Sequence, residues 1–267
     1  MKSLLVLFLF SAIFISQYSF SQVEDISTDR PDQSESPYLM DKGYFQVELG
    51  GAIEKTEEYD LTVTGDVVTV HTHSYPSALF RYGLSKNVEL RSGIEYLQLK
   101  QNAKFEGKLQ TDAGFSPLML GTKIKLFTEK GSMPETALLL SVTIPFKENS
   151  AFQSDYIGTE FRFAMTNSLS KRFSLSYNVG GEFGAGAPGA TGLYTIALGA
   201  SLVNKLSGFV ELYGFMPQKT SPDHRFDAGL TYLILKNVQV DLAFGFGISE
   251  RSPNYFIGGG VSVRLPK

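Results

Sequence analysis

The strongest constraint on this chain is a two-residue alternation of apolar and polar side chains that recurs from about residue 43 to the end. In Val238–Gly247, Val238, Val240, Leu242, Phe244 and Phe246 alternate with Gln239, Asp241, Ala243, Gly245 and Gly247. Arg225–Tyr232, Phe173–Glu182 and Ile157–Met165 behave the same way, and the last run sets Ile257, Val261, Val263 and Leu265 against Gly258, Gly260, Ser262 and Arg264. A period of two is the signature of a strand with one apolar face, whereas a helix would repeat every 3.6 residues. Twelve such runs begin near Gly43, Ser74, Val88, Ser116, Glu135, Tyr156, Phe173, Leu193, Gly208, His224, Val238 and Tyr255. Each is roughly 9–11 residues, the length a tilted strand needs to cross a bilayer.

The connections alternate in length. Ser85-Lys86-Asn87, Thr128–Pro134, Asn167–Arg172, Asn204–Ser207 and Lys236-Asn237 are short; stretches near 55–73, 100–115, 145–155, 184–192, 217–223 and 248–254 are longer. Short turns at one end and long loops at the other are the pattern of transmembrane barrels, with the short side periplasmic. An even strand count puts both termini there. The strands after four short turns read alike: Asn87–Leu90, Arg172–Leu175, Gly208–Leu212 and Asn237–Val240 each open on a turn residue and then alternate.

Composition narrows the alternatives. The absence of Cys excludes a disulfide scaffold, a thiolate metal site, a Cys nucleophile and a lipoprotein anchor. Net charge is −3 and no Lys/Arg-rich run exists, so no nucleic-acid partner is expected. Residues 1–21 carry Lys2, an apolar core from Leu4 to Ile15 and small residues at Ser19 and Ser21. That reads as a signal peptide cleaved before Gln22, since the apolar core is too short to span a bilayer as a helix. The expected division is signal peptide 1–21, periplasmic segment 22–42 and barrel 43–267.

Alternation alone also fits a soluble barrel or sandwich. Long strands, their number and aromatic residues near strand ends (Tyr44, Phe45, Tyr75, Phe127, Phe173, Tyr194, Tyr232, Tyr255) favour the membrane. The polar faces carry Glu48, Arg81, Glu89, Arg91, Glu95, Lys123, Lys125, Glu160, Arg162, Glu182, Glu211, Arg225, Asp227, Asp241 and Arg264. These are lumen-lining candidates, because Arg or Lys facing lipid at mid-depth costs ~2–4 kcal/mol. Eight acids against seven bases argue against a strongly ion-selective pore and fit a lattice of ion pairs stiffening a narrow barrel.

Candidate catalytic chemistry is sparse. His71 and His73 share a strand face, with Asp60 and Asp66 near in sequence, but no spacing fixes a third metal ligand. His71-Thr72-His73-Ser74 resembles the His-x-Ser pair of outer-membrane lipid hydrolases only in part. Adjacent strand residues point to opposite faces, so His73 and Ser74 do not pair as base and nucleophile. His224 has no such partner either. Gly180–Gly189 follows a strand but precedes no helix, so it reads as a loop and not a phosphate cradle. Gly258-Gly259-Gly260 reads as a place of close approach or a bend in the wall. No cofactor, metal or catalytic residue is expected.

Two segments carry a family resemblance. One is Ser27–Pro37 with Lys42–Glu48, including Thr28, Asp29, Arg30, Pro31 and Asp32; the other comprises Asp223–Tyr232, Asn237–Gly247 and Tyr255–Leu265. Together they resemble outer-membrane barrels grouped as the MetA-pathway of phenol degradation family. The resemblance implies an outer-membrane barrel of a Gram-negative bacterium that moves small hydrophobic or aromatic compounds, and it supplies no catalytic residues. One departure from barrels in general is the end, Arg264-Leu265-Pro266-Lys267, which lacks the usual terminal aromatic. The charge density of Asp29, Arg30, Asp32 and Glu35 suggests a segment tucked into the periplasmic mouth against lumen Arg or Lys, the alternative being an unstructured leader. The leading functional expectation is passive passage of small molecules. A structural or surface-interaction barrel with a blocked lumen and a lipid-modifying enzyme are the alternatives. Expected partners are outer-membrane lipid, the barrel-insertion machinery and a small-molecule permeant.

Overall fold

The computed structural model describes residues 25–60, 66–103, 109–146, 152–184, 189–250 and 252–265. The expected signal peptide and its cleavage point lie outside the described residues, as do 185–188 of the glycine-rich loop and the final two residues. Strand segments are β1 Phe45–Asp60, β2 Asp66–Gly83, β3 Val88–Ala103, β4 Leu109–Phe115, β5 Leu118–Phe127, β6 Glu135–Ile144 and β7 Gly158–Ser168. They continue as β8 Phe173–Phe183, β9 Thr191–Val203, β10 Leu206–Pro217, β11 Asp223–Leu235, β12 Val238–Gly247 and β13 Tyr255–Leu265.

The segments form a closed cylinder. Each pairs antiparallel with its sequence neighbour, β13 pairs with β1, and β2 pairs with β3. β4 and β5 share β3 as a partner: β4 faces Tyr96–Asn102 and β5 faces Val88–Gly93. They are two halves of one wall strand interrupted at Ser116-Pro117, so the barrel has twelve walls. Proline has no N–H for the ladder. Ser116 spans the break, its N–H donating to the Glu95 carbonyl at 2.8 Å and its hydroxyl accepting from the Glu95 N–H at 3.0 Å. Closure matters because no water in hydrocarbon can satisfy an open edge.

The two faces of the wall are inverted relative to a soluble protein. Leu49, Leu90, Leu140, Val179, Ile196 and Leu242 project outward and are exposed. By contrast Gln46, Glu48, Arg81, Glu89, Lys123 and Asp227 are at most 1% exposed. A continuous apolar exterior of this kind is what acyl chains solvate. Exposed aromatics mark both rims: Tyr82, Phe127, Phe173 and Tyr232 at the short-turn end, Tyr75 and Tyr255 at the other.

The first four segments correct the sequence reading. The stretches near 55–73 and 100–115, expected as loops, are mostly strand, and β2 begins at Asp66 and not near Ser74. The strand expected from Ser116 starts as β4 at Leu109 and resumes as β5 at Leu118. Strands of 16 and 18 residues exceed the 9–11 expected because β1 to β4 continue past the apolar belt as an extracellular flap. Above the bilayer no lipid demands an apolar face, so alternation fades while backbone pairing continues. In β2 an extra residue at Tyr75-Pro76 breaks register with both β1 and β3. The bulge changes the phase of alternation, so Ser77, Leu79 and Arg81 below it and Thr72 and Ser74 above it all face inward.

Replacing Leu242, outward at the middle of β12, by Arg is expected to destabilise the barrel by ~2–4 kcal/mol, and Tyr255→Arg at the rim by ~0–1 kcal/mol. Urea unfolding in lipid vesicles measures both.

Candidate functional site inside the barrel

The site is built by residues 25–42, which enter from the short-turn end and fold back within the lumen. The Ile26 N–H donates to the Lys236 carbonyl at the β11–β12 turn at 2.8 Å, and the Gly43 N–H donates to the Gly83 carbonyl at 2.7 Å where β1 begins. Between these anchors the chain reaches mid-lumen. The Gln33 N–H donates to Glu211 at 2.7 Å, the Ser34 hydroxyl to Glu211 at 2.6 Å, and the Glu35 N–H to Asn178 at 2.7 Å.

Asp29 is the centre of its seat. Its carboxylate takes Lys123 at 2.9 Å, Arg81 at 3.1 Å and Arg91 at 3.4 Å, and its N–H donates to Glu48 at 3.1 Å. Arg81 also holds Glu89 at 2.8 Å and Glu48 at 2.9 Å, and Arg91 holds Glu35 at 2.8 Å. Without the segment, the wall offers Arg81, Arg91 and Lys123 against Glu48 and Glu89; Asp29 and Glu35 supply the missing negative charge. The β10–β12 side of the lumen is acidic, with Glu211, Asp227 and Asp241, and there the segment presents Arg30, 3.1 Å from Asp241.

Arg30 lies flat against glycine. Gly50 and Gly260 are register partners on β1 and β13. A Cβ at Gly50 would fall inside the guanidinium, and one at Gly260 would lie 2.6 Å from Nε. The close approach expected within Gly258–Gly260 occurs at Gly260, first to the Leu49 carbonyl of β1 and then to Arg30. Burial alone pushes the Asp29 carboxyl up, but Arg81, Lys123 and Arg91 outweigh it and hold it well below the usual carboxylate range. Asp32 is pushed well above its ordinary value, first by burial, then by the Glu211 and Asp227 carboxylates.

The other charged positions singled out from sequence form local pairs. Lys125 meets Glu135 at 2.7 Å, Arg162 meets Glu160 at 3.0 Å, and Arg225 meets Asp223 at 2.6 Å and Glu54 at 2.7 Å. Glu95 accepts from the Ser74 hydroxyl at 3.0 Å, Glu182 stands beside Glu160 in register, and Arg264 lies over the Tyr44 ring at 5.6 Å. Uncharged members of the seat went unmarked in the sequence: Gln46 donates to the Ser27 carbonyl at 2.9 Å, Gln239 to Thr28 at 2.8 Å, and Thr195 meets Ser34 at 2.5 Å. Their inward parity in alternating strands was the available signal.

Cavities flank the segment. One of about 410 Å³ lies on the extracellular side, lined by Arg30, Glu35, Arg91, Glu95, Leu79 and Met119 among others. A second, about 290 Å³, runs from Arg30, Pro31 and Asp32 to the β7–β8 turn at Ser170–Arg172. Arg30 lines both.

An even-walled antiparallel cylinder with an apolar exterior and a charged, filled interior is an outer-membrane β-barrel. Solved structures agree. An outer-membrane channel from Pseudomonas putida F1 aligns over 90% of this chain and 100% of its own, with TM-score 0.67 and 11% identity. The transport unit of the autotransporter AIDA-I from Escherichia coli aligns over 96% and 97%, with TM-score 0.57 and 8% identity. The translocator domain of the autotransporter NalP from Neisseria meningitidis aligns over 84% and 89%, with TM-score 0.53 and 13% identity. At these identities the likeness is one of fold. No curated protein matches the sequence. Residues 28–265 match the family described as "Putative MetA-pathway of phenol degradation", and the chain belongs to it.

The two aspartates predict opposite pH behaviour. A depressed carboxyl stabilises the seated segment above its unfolded value, about 3.9, and loses that contribution as pH falls below it. A raised one penalises seating as pH climbs above about 3.9. Asp32→Asn is therefore expected to tighten the segment at pH 7 with little change near pH 4. Asp29→Asn is expected to loosen it at pH 7 by about 3–5 kcal/mol, leaving buried cations underpaired. Hydrogen exchange across residues 25–42 reads both.

Proposed function

We propose that the protein is a passive channel for small hydrophobic or aromatic molecules in the outer membrane of a Gram-negative bacterium, exported by residues 1–21 and closed at rest by residues 25–42. The observation that carries this reading is the pair of cavities separated by the segment, with Arg30 bordering both. The extracellular cavity mixes Leu79, Met119 and Pro117 with Arg91, Glu35 and Glu95. A mostly apolar wall with a few fixed polar groups suits a small ring bearing one polar substituent. Family membership and the channel fold of the Pseudomonas relative support the same reading.

The route needs no energy-coupling element. Displacing Arg30 from its Gly50–Gly260 platform would join the cavities while Asp29 stays anchored, because Asp29 is held separately by Arg81, Arg91 and Lys123. The reading is also non-catalytic: the Ser74 hydroxyl donates to Glu95, while the His73 ring packs against Tyr75 on the other face. The second reading, a structural barrel with a permanently blocked lumen, is favoured by the density of ion pairs around Asp29.

Conductance in planar bilayers and swelling of liposomes with a phenol-sized solute separate the two. Deleting residues 22–37 is expected to raise both. Gly50→Val, whose side chain would meet only the Arg30 guanidinium, is expected to raise solute flux by a smaller factor. Unchanged flux in both variants would sink the channel reading and leave the blocked barrel.

A further inference from the structure

The outward face of the β1–β4 flap carries chemistry that passage through the lumen does not use. Above the Tyr75-Pro76 bulge, Thr72 and Ser74 face inward, so His71 and His73 face out, and the His73 ring meets Tyr75 edge-on at 5.9 Å. Register sets Lys55 of β1, His71 of β2 and Lys100 of β3 directly opposite one another. Tyr255 of β13 pairs with Lys55 on the other side. Strand tilt makes this row oblique to the membrane, so its members occupy several ångströms of depth.

What lies beneath the row fixes its environment. Along the outward parity of β1, Leu49 is exposed three steps before Lys55 and Ile53 one step before it. Tyr75, Tyr96 and Phe115 form an aromatic layer nearer the belt, with Tyr96 and Phe115 edge to face at 5.2 Å. From mid-membrane outward the rows are thus Leu49, then the aromatic layer, then Ile53 beside His73, and last Lys55, His71 and Lys100. Aromatic rings mark the headgroup level, and cations just beyond them stand where lipid phosphates are.

Among the described residues, the lysines of this face outnumber its acids. Among the described residues, the acid on this face is Glu57, 2.5 Å from Lys55. Lys100 has no acidic partner among the described residues. His73 is pushed below its ordinary value, by partial burial first and then by Lys100 and His71. Thr69, Gln98, Asn102 and Thr111 supply neutral hydrogen-bonding groups around them.

We propose that the outward face of the flap, through Lys55, His71, His73 and Lys100, binds the phosphate groups of outer-leaflet glycolipid, the bis-phosphorylated lipid A. The aromatic layer rests on the upper acyl chains and the cationic row takes the phosphates, so the lipid braces the flap beside the lumen entrance. The inference depends on the orientation of the barrel and not on whether molecules pass through it, so a conductance result leaves it standing.

The test uses the full-length barrel in neutral detergent micelles, with diphosphorylated lipid A as probe and dephosphorylated lipid A and inorganic phosphate as comparison arms. Native mass spectrometry reads retention, and imidazole NMR reads the His73 titration midpoint. Diphosphorylated lipid A is expected to be retained and to move the midpoint upward; the other two probes are expected to do neither. Lys55→Gln with Lys100→Gln is expected to weaken retention about fivefold per lysine. Thr111→Lys, which extends the row on β4, is expected to strengthen it and guards against a misfolded loss variant. Equal retention of dephosphorylated lipid, equal response to inorganic phosphate, or indifference to both sets of substitutions would overturn the proposal.

Discussion

The structure depends on one electrostatic arrangement: a carboxylate supplied by the chain before the first strand neutralises cations that the barrel cannot neutralise alone. Lipid outside forces every charged wall residue inward. Inside a narrow cylinder, side chains from β2, β3 and β5 converge, and Arg81, Arg91 and Lys123 meet with only Glu48 and Glu89 from the wall. Buried charge without a counterion costs several kcal/mol. Asp29 touches all three cations, and Glu35 adds a second carboxylate to Arg91. The segment is thus part of the interior of the barrel, not an attachment to it.

The lumen is polarised, and the segment is polarised to match. Cations cluster on β2, β3 and β5, carboxylates on β10, β11 and β12, and the consecutive residues Asp29 and Arg30 face one cluster each. A single peptide unit therefore bridges two charge clusters of opposite sign, which fixes its orientation more firmly than either pair alone. Asp32 breaks the pattern, since it stands with Glu211 and Asp227 on the acidic side. Complementarity is strong at the Asp29 end and poor at the Asp32 end, so a partial release would begin with the latter.

Most of the barrel was legible because the membrane imposes a pattern. Wherever a strand contacts lipid, one face must be apolar, and the starts of β3, β6, β8, β12 and β13 fall where alternation begins. Where lipid contact ends, the pattern ends too, and the flap residues Lys55–Asp60, Asp66–His73, Lys100–Ala103 and Leu109–Phe115 read as loop. The site was legible in outline. The charge of Asp29, Arg30, Asp32 and Glu35 pointed to the mouth of the barrel, but strand parity gives a face and no depth or partner. That Arg30 would rest on Gly50 and Gly260, residues 210 positions apart, depends on the closure of β1 against β13. No local period encodes that contact.

Two irregularities in the ladder tie the lumen to the outer surface. The Tyr75-Pro76 bulge and the Ser116-Pro117 break both border β3 near Glu95, and both place proline where a wall strand would otherwise donate. Ser77, Glu95, Ser116 and Pro117 all line the extracellular cavity. A regular wall would present bulky inward side chains at this level; the bulge and break bend it instead and leave a cavity above Arg30 and Glu35. The same extra residue turns His71 and His73 away from that cavity and toward the membrane rim. A regular β2 would aim both imidazoles into the lumen. One inserted residue therefore sets the shape of the space inside and the charge of the surface outside.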